Sequence, residues 1–359
     1  MVVLLVGTVL GGTLGFVALR LEAEHALRLR WRDVPAAKQP VLLMNPKSGG
    51  GKVGRFGLVD ACAARGISGV LLHPDDDLAT LARSAAEAGA DAIGMAGGDG
   101  SQAVVAAVAA QKSIPFVCVP AGTRNHFALD LGVQRDDLLG ALDAFSDSRE
   151  TTVDLATVNG RVFVNNVSLG LYGSMVARED YREQKLRTAA ETIQERMDPK
   201  APPFDLHLDG PDGPIDTPEI VQVSNNPYLL GSLTSFGTRD RMDRGTLGIV
   251  TVRVEGPDDL HRLLLAETAR HPKRYPGLNS WEATELDVRS SSPVAAGVDG
   301  ESFRLDPPIQ FRSLPRTLRV RVAHGHPGPS PAMRRAPLTS STVVGLWSLV
   351  RGRPSGLIA

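Results

Sequence analysis

The sequence predicts an α/β N-terminal domain built on a parallel sheet, a β-rich, antiparallel, sandwich-like C-terminal domain, and a hydrophobic helix at the start of the chain. Three observations predict this. Short apolar runs alternate with Ala-rich helical stretches from Val41 to Val119, the pattern of βαβ units. Beyond Thr151 helical stretches become few and short strands recur between turn residues. Ahead of both lies Val2–Leu19, a run without a charged residue. The expected segments are residues 1–38 (hydrophobic helix and the linker after it), 39–150 (α/β domain), 151–323 (β-rich domain) and 324–359 (Pro/Gly-rich tail).

A chain of 359 residues accommodates two ordinary domains. Lys and Arg total 39 against 40 for Asp and Glu, so the formal charge is −1. That balance excludes a protein whose affinity for nucleic acid rests on excess positive charge. Hydrophobic residues at 42% and charged residues at 22% describe a folded chain. Two cysteines, Cys62 and Cys118, exclude a disulfide framework or a Cys-rich zinc site, and both read as reduced core residues.

As a helix, Val2–Leu19 would reach about 27 Å, within the usual range for a membrane span. Gly7, Gly11 and Gly15 give two overlapping GxxxG spacings, a helix-packing pattern. Arg20, Arg28, Arg30 and Arg32 follow the run and no Lys or Arg precedes it, which would place the rest of the chain on the cytoplasmic face. The missing positive n-region argues against a cleaved signal peptide, and a buried or peripheral helix is the alternative.

In the first domain the expected strands are Val41–Met44, Gly69–Leu72, Asp91–Ala96 and Pro115–Val119, and the expected helices Val53–Arg65, Leu78–Ala88 and Gln102–Gln111. Parallel sheets bind ligands outside the carboxyl ends of their strands. Asn45–Gly51, Gly97–Ser101 and Gly122–Asn125 each follow a strand, so they should gather on one edge. In the second domain Thr152–Val158 and Arg161–Val167 flank Asn159-Gly160, a type I′ hairpin signal. Met175–Met197 reads as a charged helix. Further strands are expected at Phe204–Leu208, Glu219–Val223, Leu247–Val254, Glu285–Val288, Ser302–Leu305, Ile309–Phe311 and Leu318–Val322. In the tail, Leu346, Trp347, Leu349 and Val350 beside Arg351 and Arg353 would touch a membrane or dock on the body.

The chemistry sits in four segments. In Asn45-Pro46-Lys47-Ser48-Gly49-Gly50-Gly51 the glycines let backbone N–H groups approach a phosphate at the start of a helix. It is no Walker A loop, since Val53 stands where Ser or Thr is required, and an ordinary tight turn would read the same. In Gly97-Gly98-Asp99-Gly100-Ser101, Asp99 would lie near bound phosphates, where a carboxylate belongs only with a cation or a proton to handle; otherwise it is a turn residue. Gly122-Thr123-Arg124-Asn125 brings short polar side chains to the same edge. Asp299-Gly300-Glu301 reads locally as a turn. Ser48 and Ser101 have no visible His–Asp partnership for hydrolase chemistry, and His73-Pro74-Asp75-Asp76-Asp77 reads as an acidic helix start rather than a metal site.

Taken in order, NPKSGGG (Asn45–Gly51), GGDGS (Gly97–Ser101), GTRNHFA (Gly122–Ala128) and DGE (Asp299–Glu301) resemble the catalytic-domain family of diacylglycerol kinases and sphingosine kinases, bacterial lipid kinases in particular, over roughly Val41 to Val322. The resemblance implies ATP, with Mg²⁺, in a cleft between the two domains, and a membrane lipid such as diacylglycerol as acceptor. It implies that Asn45, Pro46, Lys47, Ser48, Gly49, Gly97, Gly98, Asp99, Gly100 and Ser101 cradle the phosphates, with Thr123 and Asn125 nearby and Glu301 supporting the nucleotide site. Asp299 matches the proposed general base, although the position of Asp99 has also been assigned a catalytic role. Two departures stand out. Asn125-His126-Phe127 replaces the usual N-D-F, as it does in one branch of the family. Arg244-Gly245 replaces an Asp-Gly that binds a structural magnesium in some relatives, with Asp243 one residue earlier, so no metal ligand is assigned. A catalytically impaired lipid- or nucleotide-binding member, and a soluble small-molecule kinase of the NAD kinase or phosphofructokinase kind, are the competing readings.

Overall fold

The computed structural model describes residues 31–171, 173, 174, 202–229, 239–254, 256, 259, 262 and 275–325. The expected helices at Val2–Leu19 and Met175–Met197, and the tail from His326, lie outside the described residues. Among the described residues no helix is long and apolar enough to cross a membrane.

The first half contains β1 (Arg32–Val34), β2 (Pro40–Met44), α1 (Lys52–Arg55), α2 (Leu58–Ala64), β3 (Ser68–Leu71), α3 (Leu78–Glu87), β4 (Ala92–Gly97), α4 (Asp99–Gln111), β5 (Phe116–Pro120), α5 (His126–Asp130) and α6 (Leu138–Ala141). Four parallel strands lie in the order β3-β2-β4-β5. Strands β4 and β5 are buried throughout, which explains their unbroken apolar sequences. The chain leaves β2 toward β3 on one side and returns to β4 on the other. The switch point therefore falls between β2 and β4, where wound sheets open a crevice at their carboxyl ends.

Two expected boundaries are corrected here. The helix expected over Val53–Arg65 is two short ones, broken where Gly57 takes a left-handed φ of 56°. The helix expected from Gln102 begins at Asp99 with Gly98 as its N-cap, so Asp99-Gly100-Ser101 is the first helical turn rather than a loop. Cys62 and Cys118 are buried free thiols, and burial raises both pKa values.

The second half adds β6 (Ser148–Val158), β7 (Arg161–Phe163), β8 (Asn166–Gly170), β9 (His207–Gly210), β10 (Gly213–Asp216), β11 (Ile220–Asn225), β12 (Leu247–Val252), β13 (Leu278–Ala283), β14 (Glu285–Arg289), β15 (Val294–Val298), β16 (Glu301–Leu305) and β17 (Ile309–Ala323). Six strands form an antiparallel sheet in the order β13-β12-β11-β8-β15-β16. Its inner face, with Val167, Leu169, Val221, Val223 and Ile249, packs on Phe163, Leu208, Val288 and Phe311 of the other sheet. Asn159 and Gly160 both take positive φ, as a type I′ turn demands. The return strand ends at Phe163, short of the expected Val167, and Asn166–Gly170 joins the second sheet. The strands expected at Ile309–Phe311 and Leu318–Val322 are one strand, β17, with a bulge between Leu314 and Leu318. It pairs with β6 and then runs parallel to β5 at Val320↔Phe116, so one sheet passes through both halves.

The bulge is held by Asp154 of β6, whose side chain is fully buried. It accepts hydrogen bonds from the backbone N–H of Arg316 at 2.7 Å and of Gly245 at 2.6 Å. Asp154→Ala would leave both donors without a partner. Stability should fall by about 3 kcal/mol, read as a lower urea midpoint with an unchanged slope.

Candidate functional site

All three Gly-rich segments meet at the switch point. Asn45 at the end of β2 donates its backbone N–H to Ala96 O at 2.9 Å, and its side-chain oxygen accepts from Lys47 N at 3.0 Å, which starts the turn. Gly49, at φ 56°, lies against the third segment: a Cβ there would stand 2.3 Å from Ala121 O. Gly122 donates to Gly97 O at 3.0 Å, and its own Cβ would fall 2.5 Å from Gly98 Cα. Backbone therefore packs on backbone, and the N-terminus of the thirteen-residue α4 faces the resulting floor.

Side chains that sequence reasoning passed over brace this floor. Lys52 Nζ donates to Gly122 O at 3.0 Å, and Arg55 to Gly49 O at 3.1 Å. Gln102, 2% exposed, donates to Met95 O at 2.9 Å and Val119 O at 3.0 Å, tying β4 to β5 beneath the loops. Only its position four residues after Gly98, on the inward face of a helix, could have marked it.

Asp99 closes the floor from α4. Its two carboxylate oxygens accept the backbone N–H groups of His126 at 3.2 Å and Phe127 at 3.1 Å, so it also caps α5. Each oxygen keeps a further lone pair. A magnesium ion bound largely through phosphates and water needs one or two carboxylates, and Asp99 fits that role. Among the described residues no three His, Cys, Asp or Glu side chains are grouped as a complete metal cage.

Asp299 comes from the other half, in the two-residue turn between β15 and β16. Its φ of 48°, followed by Gly300 at 85°, is the backbone of a type I′ turn, which Asp tolerates. Its carboxylate accepts three backbone N–H bonds: Val164 at 2.9 Å, Asn165 at 2.8 Å and Asn166 at 3.2 Å. These amides are committed to Asp299, which is why β7 stops at Phe163. Burial pushes the Asp299 carboxyl up to about 7, the three amides oppose that rise, and the charge of Asp99 adds to it. Glu301 follows, with its carboxyl carbon 2.7 Å from where a Cβ on Gly100 would stand, so the second half touches the first turn of α4.

Asp99 and Asp299 are joined through a group that the motifs do not contain. Arg239 is 1% exposed. It donates through Nε to Asp130 Oδ2 at 2.7 Å, through Nη1 to Val164 O at 2.6 Å and Asn225 O at 2.8 Å, and through Nη2 to Asn165 Oδ1 at 2.9 Å. Asp130 ends α5, the helix that Asp99 caps, and Val164-Asn165 is the segment that holds Asp299.

The remaining residues divide. Lys47 and Thr123 are exposed at the rim, and Pro46, Ser48, Gly98 and Ser101 are half-buried around the floor. Asn125 is buried at φ 51°, and its side-chain amide is spent on Pro120 O and Gly122 O, both at 3.0 Å. Burial lowers the pKa of His126 while Asp99 and Asp130 pull it up, so it contributes no carboxylate and little positive charge at neutral pH. Arg244 pairs with Asp240 at 2.7 Å and Glu282 at 3.4 Å.

Asp130→Asn should cost about 3–5 kcal/mol, because it leaves the Arg239 cation buried without its counter-charge. Chemical denaturation measures this. Gly122→Ala should force the loops apart and destabilise the fold by about 1–3 kcal/mol, read as a lower urea midpoint.

Residues 39–158 match the family model of the diacylglycerol kinase catalytic domain. The chain is 26% identical over 253 residues to a diacylglycerol kinase of Staphylococcus epidermidis, covering 67% of this chain and 76% of that one. It is 24% identical over 310 residues to a diacylglycerol kinase of Mycobacterium tuberculosis, covering 79% and 95%. Two crystal structures from Bacillus anthracis share its fold. One superposes with a TM-score of 0.63 at 21% identity over 81% of this chain and 97% of its own. The other, of a diacylglycerol kinase, gives 0.56 at 20% over 80% and 98%. The three glycine segments lie inside the matched residues, so the stretch over 39–158 is similar to a diacylglycerol kinase catalytic domain, and the chain as a whole shares the fold of the two Bacillus anthracis structures.

Proposed function

We propose that the protein is an ATP-dependent lipid kinase, transferring the γ-phosphoryl group to the hydroxyl of a membrane lipid at the cytoplasmic face of the membrane. The observation that carries this reading is the placement of Asp299. A carboxyl group with a pKa pushed up to about 7, fixed by three backbone amides of one half of the molecule, feels the charge of Asp99 on the glycine-lined floor of the other. Phosphoryl transfer asks a protein for positioning, for stabilisation of phosphate charge and for a group that takes the hydroxyl proton. The backbone N–H groups of Asn45–Gly49 and Gly97–Ser101 and the N-terminus of α4 hold the phosphates. Asp299 accepts the proton as the hydroxyl oxygen attacks, Asp99 orients the nucleotide end, and Glu301 supports the nucleotide site. Magnesium, when bound, neutralises charge across the phosphates. The relatives' name points to diacylglycerol as a first acceptor to test.

His126 favours a second reading, a member with impaired catalysis, because this position supplies no negative charge. His126→Asp would then raise turnover, while an active wild type with a slower His126→Asp variant sinks that reading.

With labelled ATP, magnesium and diacylglycerol in mixed micelles, wild type should phosphorylate lipid. Asp299→Asn should lower kcat by about 10²–10⁴-fold with ATP affinity unchanged. Absence of any lipid phosphorylation, or an Asp299→Asn variant as fast as wild type, would overturn the kinase reading. Asp299 must be ionised to accept a proton, so kcat/KM should rise with pH through about 7. The same shift has the opposite sign for folding. The fold favours the protonated form, so this group's contribution is complete below the ordinary carboxylate range and is lost as pH rises through about 7.

A further inference from the structure

The second sheet buries Val221, Val223, Leu247 and Ile249 in the sandwich core, so alternation turns Gln222, Ser224, Gly248 and Val250 to its other face. On that face lies a cavity of about 290 Å³. That is room for a cluster of waters, or for one sugar ring or a comparable polyol. Its floor is polar. Gln222 is 2% exposed, yet its Oε1 has no hydrogen-bond partner among the described residues. A buried amide oxygen left unpaired costs about 1–3 kcal/mol, and a turn of the Gln222 side chain toward the cavity it lines would let a ligand hydroxyl recover that cost.

The wall carries one cation and two carboxylates. Arg244 Nη2 donates to Asp240 at 2.7 Å and Nη1 to Glu282 at 3.4 Å, while Thr246 Oγ1 donates to the other Glu282 oxygen at 2.7 Å. With a charge of −1 this wall repels a phosphorylated or carboxylated ligand and suits neutral hydroxyl groups, which both donate to carboxylates and accept from guanidinium and amide. Tyr228 also lines the cavity. It hydrogen-bonds to Asn166, whose backbone N–H holds Asp299, so the cavity adjoins the proposed base.

We propose that this cavity takes the sugar or polyol head group of the acceptor, making the preferred acceptor an uncharged, hydroxyl-rich glycolipid rather than bare diacylglycerol. The proposal rests on the kinase reading above. Its test compares monohexosyl diacylglycerol with diacylglycerol in mixed micelles, and titrates octyl glucoside below its micelle concentration into the full chain by calorimetry. Wild type should favour the hexosyl lipid in kcat/KM by roughly tenfold or more. Gln222→Met, which breaks no hydrogen bond of the fold and removes an unpaired buried oxygen, should abolish that preference, leave ATP affinity unchanged, leave the melting temperature no lower than that of wild type, and remove the calorimetric signal. Diacylglycerol preferred by wild type, with Gln222→Met indistinguishable, overturns the head-group assignment and leaves the kinase reading standing. Octyl glucoside binding that Gln222→Met removes, without phosphorylation of any lipid, overturns the kinase reading and keeps the cavity as a sugar site.

Discussion

The arrangement depends on one buried ion pair, Asp130–Arg239. Taking two charges out of water is expensive, and such a pair persists only when its remaining hydrogen-bonding capacity is also used. Here Arg239 spends its guanidinium on Asp130, two backbone carbonyls and the Asn165 side chain. Those partners belong to different halves of the molecule. A continuous path results: Asp99 caps α5, Asp130 ends it, Arg239 crosses to Val164-Asn165, and the amides of that segment hold Asp299. Asp99 and the proposed base Asp299 are the two ends of this path. A substitution at its middle would move both.

A second regularity is that carboxylates here are placed by backbone N–H groups. Asp299 accepts three, Asp99 two and Asp154 two. Backbone donors are fixed by the fold, so each oxygen is oriented without the rotamer freedom that a Lys or Arg partner would bring. For Asp299 the balance is finely set. Three amides favour the anion, but burial and the nearby negative charge of Asp99 win, and its pKa stands at about 7 instead of in the acidic range. A group poised there is ionised often enough to act and basic enough to accept a proton.

The two departures from the family pattern have different local consequences. At His126 the backbone N–H still serves Asp99, so the cap on α5 survives the loss of the side-chain carboxylate. At Arg244 the guanidinium pairs with Asp240 and Glu282, a cation covalently part of the chain beside two acidic groups. Neither change disturbs the convergence of the three loops.

Much was legible in the sequence. Apolar runs alternating with helices fixed the parallel sheet, because a strand covered on both faces has no polar position to spare. The glycine segments after β2, β4 and β5 were placed on one edge by the direction of those strands alone. Asn159-Gly160 announced a type I′ turn, and Asp299-Gly300 a turn, through local backbone chemistry. What sequence could not supply were relations between distant segments. The inward-facing Gln102, the crossing of Asn166–Gly170 into the second sheet, the single long β17, the unpaired oxygen of Gln222 and above all the Asp130–Arg239 pair follow from three-dimensional proximity. Pattern reports which face of an element is apolar and where the chain turns, since those depend on neighbours within a few residues. Which carboxylate meets which cation across 109 positions of chain depends on how the halves dock, and only the folded molecule decides that.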